Sequence, residues 1–323
     1  MKNIIHIALS ADKSYSIPLA LCLYSLEQTA HASTEYHYHI LDSGVDRDLI
    51  ALGNFKNISW YSTDKLLREL PCNLRYPSAI YHRYLLPELL PASVERVLYL
   101  DCDAFVRKDL SQLYHSDMAG NPIAAPLWKV LGPNKIRYQQ FLESFPRRFN
   151  LPAEEQQYCF SSQLLMDLSA LRSMDATSKL TEMTQSFAEQ LIYPDQDVIN
   201  AFFYGRITHI GQEYNVIPSF ATPEELSNEE IRQAYNAPAI IRFASIKPNI
   251  LTGPRNSYEE DFFSFWRHSP WKHHIPYPLI SLTQFPVPCL AAILRAIIRL
   301  LIPYPRLLRS FGNLLACLRN TGK

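Results

Sequence analysis

Arg96-Val-Leu-Tyr-Leu-Asp-Cys-Asp-Ala-Phe-Val106 is an apolar run interrupted by two aspartates one residue apart. Val97 to Asp101 read as a buried strand, because the residues leading to Asp101 are β-branched, aromatic or large aliphatic with no polar interruption. Residues i and i+2 of an extended segment face one side. Asp101 and Asp103 are therefore expected to project two carboxylates from the carboxyl end of a core strand, where open α/β sheets bind ligands. Two close like charges raise each other's pKa unless something cationic lies between them. The expected counter-charge is an oxygen-loving divalent ion, Mn²⁺ or Mg²⁺, itself bound to a diphosphate.

Working outward, the flanking sequence alternates strands with helices. Ile4–Leu9 reads as a strand, a polar turn leads into the apolar-periodic segment Ile17–Leu26, and Tyr36–Asp42, Arg47–Leu52 and Ile58–Tyr61 read as strand, helix and strand. The pattern predicts an α/β protein with a doubly wound central sheet carrying helices on both faces. Ala79–Leu90 reads as a helix carrying Arg83, and Leu131–Pro152 as an aromatic, basic loop broken by Gly132, Pro133 and Pro146. Tyr158–Leu168 reads as a strand and Leu171–Leu191 as a helix. The acidic and amide cluster Asp195-Gln-Asp-Val-Ile-Asn200 opens a further helix, with Asp195 either an N-cap or a functional carboxylate. His37 and His39 share one strand face; they read either as a half-exposed face or as two ligands lacking a third.

Composition sets the outer limits. With 323 residues, 47% of them apolar, the chain can bury a large core. There are 31 basic and 31 acidic residues, yet no acidic residue follows Asp261, where eight basic ones remain, so the tail is +8 and residues 1–261 are −8. An acidic body gives no reason to expect nucleic acid as a partner. The six cysteines lack Cys-x-x-Cys spacing, and the N-terminus turns polar too early for a signal peptide, so a reducing cytosol is expected. The basic tail carries Arg295 and Arg299 four apart, then a stripe of Leu307, Leu308, Phe311, Leu314, Leu315 and Leu318 opposite Arg306 and Arg309. It reads as amphipathic helices lying on the cytoplasmic face of an anionic membrane, being too often interrupted to span one. Packing on the catalytic domain or on a second copy is the alternative.

The order of these signals resembles glycosyltransferase family 8, of the bacterial lipopolysaccharide or lipooligosaccharide galactosyl- and glucosyltransferase type. The resemblance is carried by the Ser10-Ala-Asp-Lys-Ser-Tyr15 turn, the Arg83 segment, Leu98-Tyr-Leu-Asp-Cys-Asp-Ala-Phe-Val106, Leu164-Leu-Met-Asp-Leu168 and Asp195-Gln-Asp-Val-Ile-Asn200. It covers roughly residues 1–275, with 276–323 as the tail. It implies a GT-A fold with a Rossmann-like mixed central sheet flanked by helices, a UDP-sugar donor, Mn²⁺, a saccharide or glycolipid acceptor, and hexose transfer with retention of configuration. By position, Ala11 and Asp12 are implied to contact the uridine and Tyr15 to stack on it. Arg83 is implied to neutralise donor charge. Asp101-Cys102-Asp103 would meet donor and metal, Asp101 through sugar hydroxyls and metal and Asp103 as the metal clamp. Asp195 would hydrogen-bond the donor sugar, and Gln196 would lie on the face of the reacting carbon.

Two positions depart from the pattern. Where the family has a His as third metal ligand ahead of Lys-Pro, this chain has Ile241-Arg242 before Lys247-Pro248, and Arg has no lone pair to offer a cation. Arg242 and Lys247 are therefore expected on the diphosphate. The Asn-Ala/Ser-Gly expected before the Leu-Leu strand is Phe160-Ser-Ser162. Two other readings stand beside the transferase. One is a sugar-nucleotide-binding protein without turnover. The other is a haloacid-dehalogenase-like phosphatase, in which the first Asp of Asp-x-Asp attacks phosphorus.

Overall fold

The computed structural model describes residues 2–63, 67, 69–72, 76–152, 157–244, 246–250 and 253–277. Seven strands form the central sheet: β1 (Asn3–Asp12), β2 (Thr34–Ser43), β3 (Ile58–Ser62), β4 (Arg96–Leu100), β6 (Ile123–Pro126), β7 (Gln163–Asp167) and β8 (Ile207–Ile210). Their order is β3-β2-β1-β4-β7-β6-β8, and β7 alone runs against its neighbours β4 and β6. Two short strands, β5 (Ala104–Val106) and β9 (Ile240–Arg242), pair antiparallel outside this sheet.

The apolar runs fill both faces of the sheet. Along β1, Ile5, Ile7, Leu9 and Ala11 point into one core while Ala8 points into the other; along β4, Leu98 and Leu100 oppose Val97 and Tyr99 in the same way. The Ser16–Thr29 helix covers the first face, and all of Leu19, Leu21, Leu23 and Leu26 are buried there. The helices Leu168–Ser173, Ala176–Ser186 and Pro194–Phe202 cover the second. Each fully buried aliphatic side chain contributes about 1.5–3 kcal/mol.

Several expectations need correction. Asp101 to Asp103 are not extended: the Ala104 amide donates to the Asp101 carbonyl at 3.1 Å, closing a turn that diverts the chain out of the main sheet into β5. Arg83 lies in a 3-10 segment, Ser78–Leu85, with only Leu86–Leu89 α-helical. Between Leu131 and Pro152 there is a 14-residue helix, Lys135–Arg148, rather than a loop. Tyr138, Phe141, Phe145 and Phe149 recur at helical spacing and pack on Trp128, Tyr158 and Phe187; that packing outweighs Pro146, which falls in the last turn. The Leu171–Leu191 segment is broken at Asp175, whose φ of +54° is left-handed. Strand β7 is shorter than the Tyr158–Leu168 run, starting only at Gln163. His37 and His39 do share a face, joined there by His6, whose Nδ1 lies 3.0 Å from His39 Nε2, while His37 turns to Glu35 at 3.2 Å. Among the described residues no group of three His, Cys, Asp or Glu is arranged to hold a metal, and no helix is long and apolar enough to cross a membrane. The helices expected after Cys289 lie outside the described residues.

Candidate functional site

The site forms where β1 and β4 end and β7 begins. Because β7 is reversed, its amino-terminal approach meets the carboxyl end of β4, and the Asp101 amide donates to the Ser162 carbonyl at 2.9 Å. The start of the Pro194–Phe202 helix docks on the same approach: the Ser161 amide donates to Gln196 Oε1 at 3.1 Å, and the Ser161 hydroxyl donates to Asp195 Oδ2 at 2.8 Å.

Arg83 ties these pieces together. Its side chain is 5% exposed; Nη2 meets Asp101 Oδ1 at 3.1 Å and Nη1 meets Asp195 Oδ2 at 3.2 Å. Nε donates to the Ile80 carbonyl at 2.9 Å, Nη1 also donates to the Ser161 carbonyl, and the guanidinium lies 4.4 Å from the centre of the Tyr99 ring. Burial alone would lower its pKa, but Tyr99, Asp195 and Asp101 outweigh burial and raise it. A buried charge with its donors satisfied in this way is a fixture, not a mobile surface cation.

Two further cations face the aspartates, Arg242 and Lys247. The β5–β9 register sets Arg242 opposite Ala104, and Arg242 Nη1 reaches Asp101 Oδ2 at 3.4 Å while its guanidinium lies over the Phe160 ring at 5.1 Å. Lys247 Nζ meets Asp103 Oδ2 at 2.5 Å and lies 6.0 Å from the ring centre of Tyr15 and 5.7 Å from that of Tyr277. Burial raises the Asp101 pKa, and Asp103 adds to this against the opposing pull of Arg83 and Arg242. Burial works the same way on Asp103, but there Lys247 and Arg242 prevail and its pKa is lowered. Two buried polar atoms of this cluster lack a hydrogen-bond partner among the described residues, Asp103 Oδ1 and Arg242 Nε.

This donor set fits a protein-held divalent ion poorly. Three of the four carboxylate oxygens of Asp101 and Asp103 already face Arg83, Arg242 or Lys247. Among the described residues only Asp103 Oδ1 of these four oxygens remains unpartnered, and none of those residues completes a group of three metal ligands.

The structure thus gathers Arg83, Asp101, Asp103, Asp195, Gln196, Arg242 and Lys247, with Tyr15 beside Lys247. Asp12 sits at the end of β1, where its Oδ1 caps the next turn by accepting from the Ser14 and Tyr15 amides at 2.8 and 3.0 Å. Ala11 is buried at the same strand end. Cys102 brings only backbone to the site, since its thiol points inward and donates to the Ser10 carbonyl at 3.1 Å. Asp195 is not an N-cap: its carboxylate belongs to Arg83 and Ser161.

Sequence reasoning missed three contributors. Ser161 links Arg83, Asp195 and Gln196, and no pattern in Phe160-Ser-Ser162 announces that role. Tyr99 is both the ring under Arg83 and a donor to Asp101 Oδ1 at 3.3 Å, hidden in the sequence as one more apolar strand residue. Asp197 is fully buried and accepts from the Ile192 amide at 2.7 Å, the Tyr193 amide at 3.2 Å, Tyr158 Oη at 2.5 Å and Arg148 Nη1 at 3.0 Å. Those bonds pin the start of the helix that carries Asp195 and Gln196.

A family model described as Glycosyl transferase family 8 matches residues 6–248. General stress protein A of Bacillus subtilis (strain 168) is 22% identical over 284 residues, covering 83% of this chain and 95% of that protein. Lipopolysaccharide 1,2-glucosyltransferase of Escherichia coli (strain K12) is 32% identical over 156 residues, 48% of this chain and 43% of that enzyme. Among solved structures, the galactosyltransferase LgtC in complex with donor and acceptor sugar analogs aligns with a TM-score of 0.64 at 24% identity, over 81% of this chain and 95% of that one. The mixed sheet with flanking helices is therefore the GT-A fold that the order of motifs implied.

Proposed function

The chain belongs to glycosyl transferase family 8, and from that premise we propose that it moves a hexose, glucose or galactose, from a UDP-sugar to a saccharide acceptor of a cell-surface glycan such as lipopolysaccharide, with retention at the anomeric carbon. The observation that carries this reading is Arg83, which joins Asp101 to Asp195 at the carboxyl edge of the sheet. Two carboxylates bridged by one buried guanidinium suit the recognition of sugar hydroxyls through charge-assisted hydrogen bonds. The lipopolysaccharide glucosyltransferase and the galactosyltransferase among its relatives support the choice of hexose and acceptor class. The phosphatase reading loses its basis, because both oxygens of Asp101, the would-be nucleophile, face guanidinium groups.

Retention needs either a covalent intermediate or attack from the face the leaving group departs. Gln196 is a weak nucleophile, and its amide oxygen is already engaged by the Ser161 amide. Asp195 is bound to Arg83 and Ser161, and Asp197 is fully buried behind the helix start. Same-face attack is the mechanism these residues support. The acceptor oxygen bonds the anomeric carbon as the bond to the β-phosphate oxygen breaks, and the acceptor proton passes to that departing oxygen. Arg242 and Lys247 stabilise the charge that develops on the diphosphate.

The test is a screen of UDP-glucose, UDP-galactose and their N-acetyl forms for binding and for slow release of UDP. At least one UDP-hexose is expected to bind and be hydrolysed, and Asp195→Asn is expected to lower that rate by about 10²–10³-fold, the scale for loss of a preorganised electrostatic contact. Binding without turnover would leave a sugar-nucleotide-binding protein; no binding of any UDP-sugar refutes the reading.

A further inference from the structure

We propose that Arg242 and Lys247 bind the donor diphosphate directly, so that this chain binds nucleoside diphosphates without a divalent metal ion. The inference rests on the UDP-sugar reading above and concerns how the same site meets phosphate.

It begins from the charges on the page. Asp101, Asp103 and Asp195 carry three negative charges, and Arg83, Arg242 and Lys247 carry three positive ones, linked by contacts of 2.5 to 3.4 Å. The cluster is neutral before any ligand arrives. Mg²⁺ or Mn²⁺ is commonly held by one or two carboxylates plus substrate phosphates, and such a site needs carboxylate charge that nothing else has neutralised. Here a dication entering between Asp101 and Asp103 must displace Arg242 or Lys247, which are fixed charges already at those oxygens.

The three cations are not equivalent. Arg83 is 5% exposed and engages partners through Nε, Nη1 and Nη2, so it has little left for a ligand. Arg242 touches Asp101 through one nitrogen at 3.4 Å, and its Nε is buried without a partner among the described residues. A buried donor left unsatisfied costs roughly 1–3 kcal/mol, which an acceptor oxygen from the ligand would relieve. Arg also binds phosphate in a bidentate manner that no metal-ligating residue reproduces. Lys247 gives one contact to Asp103 from an ammonium with three donors. Around both, the rings of Phe160, Tyr15 and Tyr277 keep the dielectric low. Two cations with unspent N–H donors, held in an aromatic setting beside the sheet edge, offer diphosphate oxygens direct hydrogen bonds.

The experiment is titration calorimetry of UDP into the full chain, once with excess EDTA and once with millimolar Mn²⁺. The dissociation constants are expected to agree within fivefold, and Arg242→Gln is expected to weaken UDP binding in EDTA at least tenfold with a melting temperature close to that of the unchanged chain. Binding of UDP to the unchanged chain more than fivefold tighter in Mn²⁺ than in EDTA overturns the inference while leaving the UDP-sugar reading standing. Unaltered affinity in a folded Arg242→Gln chain overturns it as well. Absence of UDP binding in both media refutes the UDP-sugar reading itself, and this inference with it.

Discussion

Replacing Arg83 by Met removes the guanidinium and keeps much of the aliphatic stem. Arg83 Nη2 and Nη1 neutralise Asp101 at 3.1 Å and Asp195 at 3.2 Å, and the group also serves the Ile80 and Ser161 carbonyls. Removing one partner from a buried ion pair costs about 3–5 kcal/mol, because the remaining charge stays desolvated. Asp195 is 10% exposed and bears most of that cost; Asp101, at 26%, recovers part of its hydration. A loss of about 4 kcal/mol is expected, which for a domain of this size lowers the melting temperature by on the order of 10 °C. The sign of the pH dependence is a sharper check. Arg83 opposes the burial that raises the Asp101 pKa; without it the folded state binds more protons above the unfolded value and is destabilised as pH rises through that window. The deficit of Arg83→Met relative to the unchanged chain is therefore expected to be smaller at pH 5 than at pH 8. Urea unfolding at both values measures it. A deficit under about 1 kcal/mol, or one that is larger at pH 5, refutes the account of Arg83 as the electrostatic keystone.

Two further outcomes follow from other parts of the chain. His39 is buried on the sheet against His6, with Tyr61 Oη 3.1 Å from its Nδ1 and His37 nearby, and burial, aided by His6 and His37, lowers its pKa to about 4. A His depressed in the folded state contributes stability above the unfolded value of 6.5 that is lost as pH falls. Between pH 7 and 5 the unchanged chain is expected to lose about 2 kcal/mol more than His39→Gln does; equal slopes in urea unfolding would discard this. Removing residues 280–323, which hold Arg295, Arg299, Arg306, Arg309, Arg319 and Lys323 and no acidic residue, is expected to abolish salt-sensitive sedimentation with phosphatidylglycerol vesicles, at roughly 1 kcal/mol per basic residue near the surface. Sedimentation unchanged by the truncation would reject the membrane role.

What the sequence made legible were features set by local chemistry. Strand β4 was readable because Val97 to Leu100 offer nothing polar to interrupt a buried run, and β1 and its helix because the period of apolar residues switches at a polar turn. The meeting of Arg83 with the Asp101–Asp103 segment was readable too, from motif order. The turn at Asp101–Ala104 was not, since it feeds a pairing far along the chain, that of β5 with Ile240–Arg242. Ser161 was read as a departure from a pattern; its value comes from the reversal of β7, which no local signal encodes. The helix Lys135–Arg148 was hidden by Gly132, Pro133 and Pro146, although its aromatic spacing was in view. Tertiary contact decided each of these cases against local propensity.

The burial of Asp197 has a meaning for how this protein tolerates change. Its four bonds to Ile192, Tyr193, Tyr158 and Arg148 place the start of a helix whose next-door residues, Asp195 and Gln196, meet Arg83 and Ser161. The position of that helix start is thus set by side chains that do not themselves touch Arg83 or Ser161. On the proposed transfer reading, selection for turnover constrains Arg148 and Tyr158 together with Asp195.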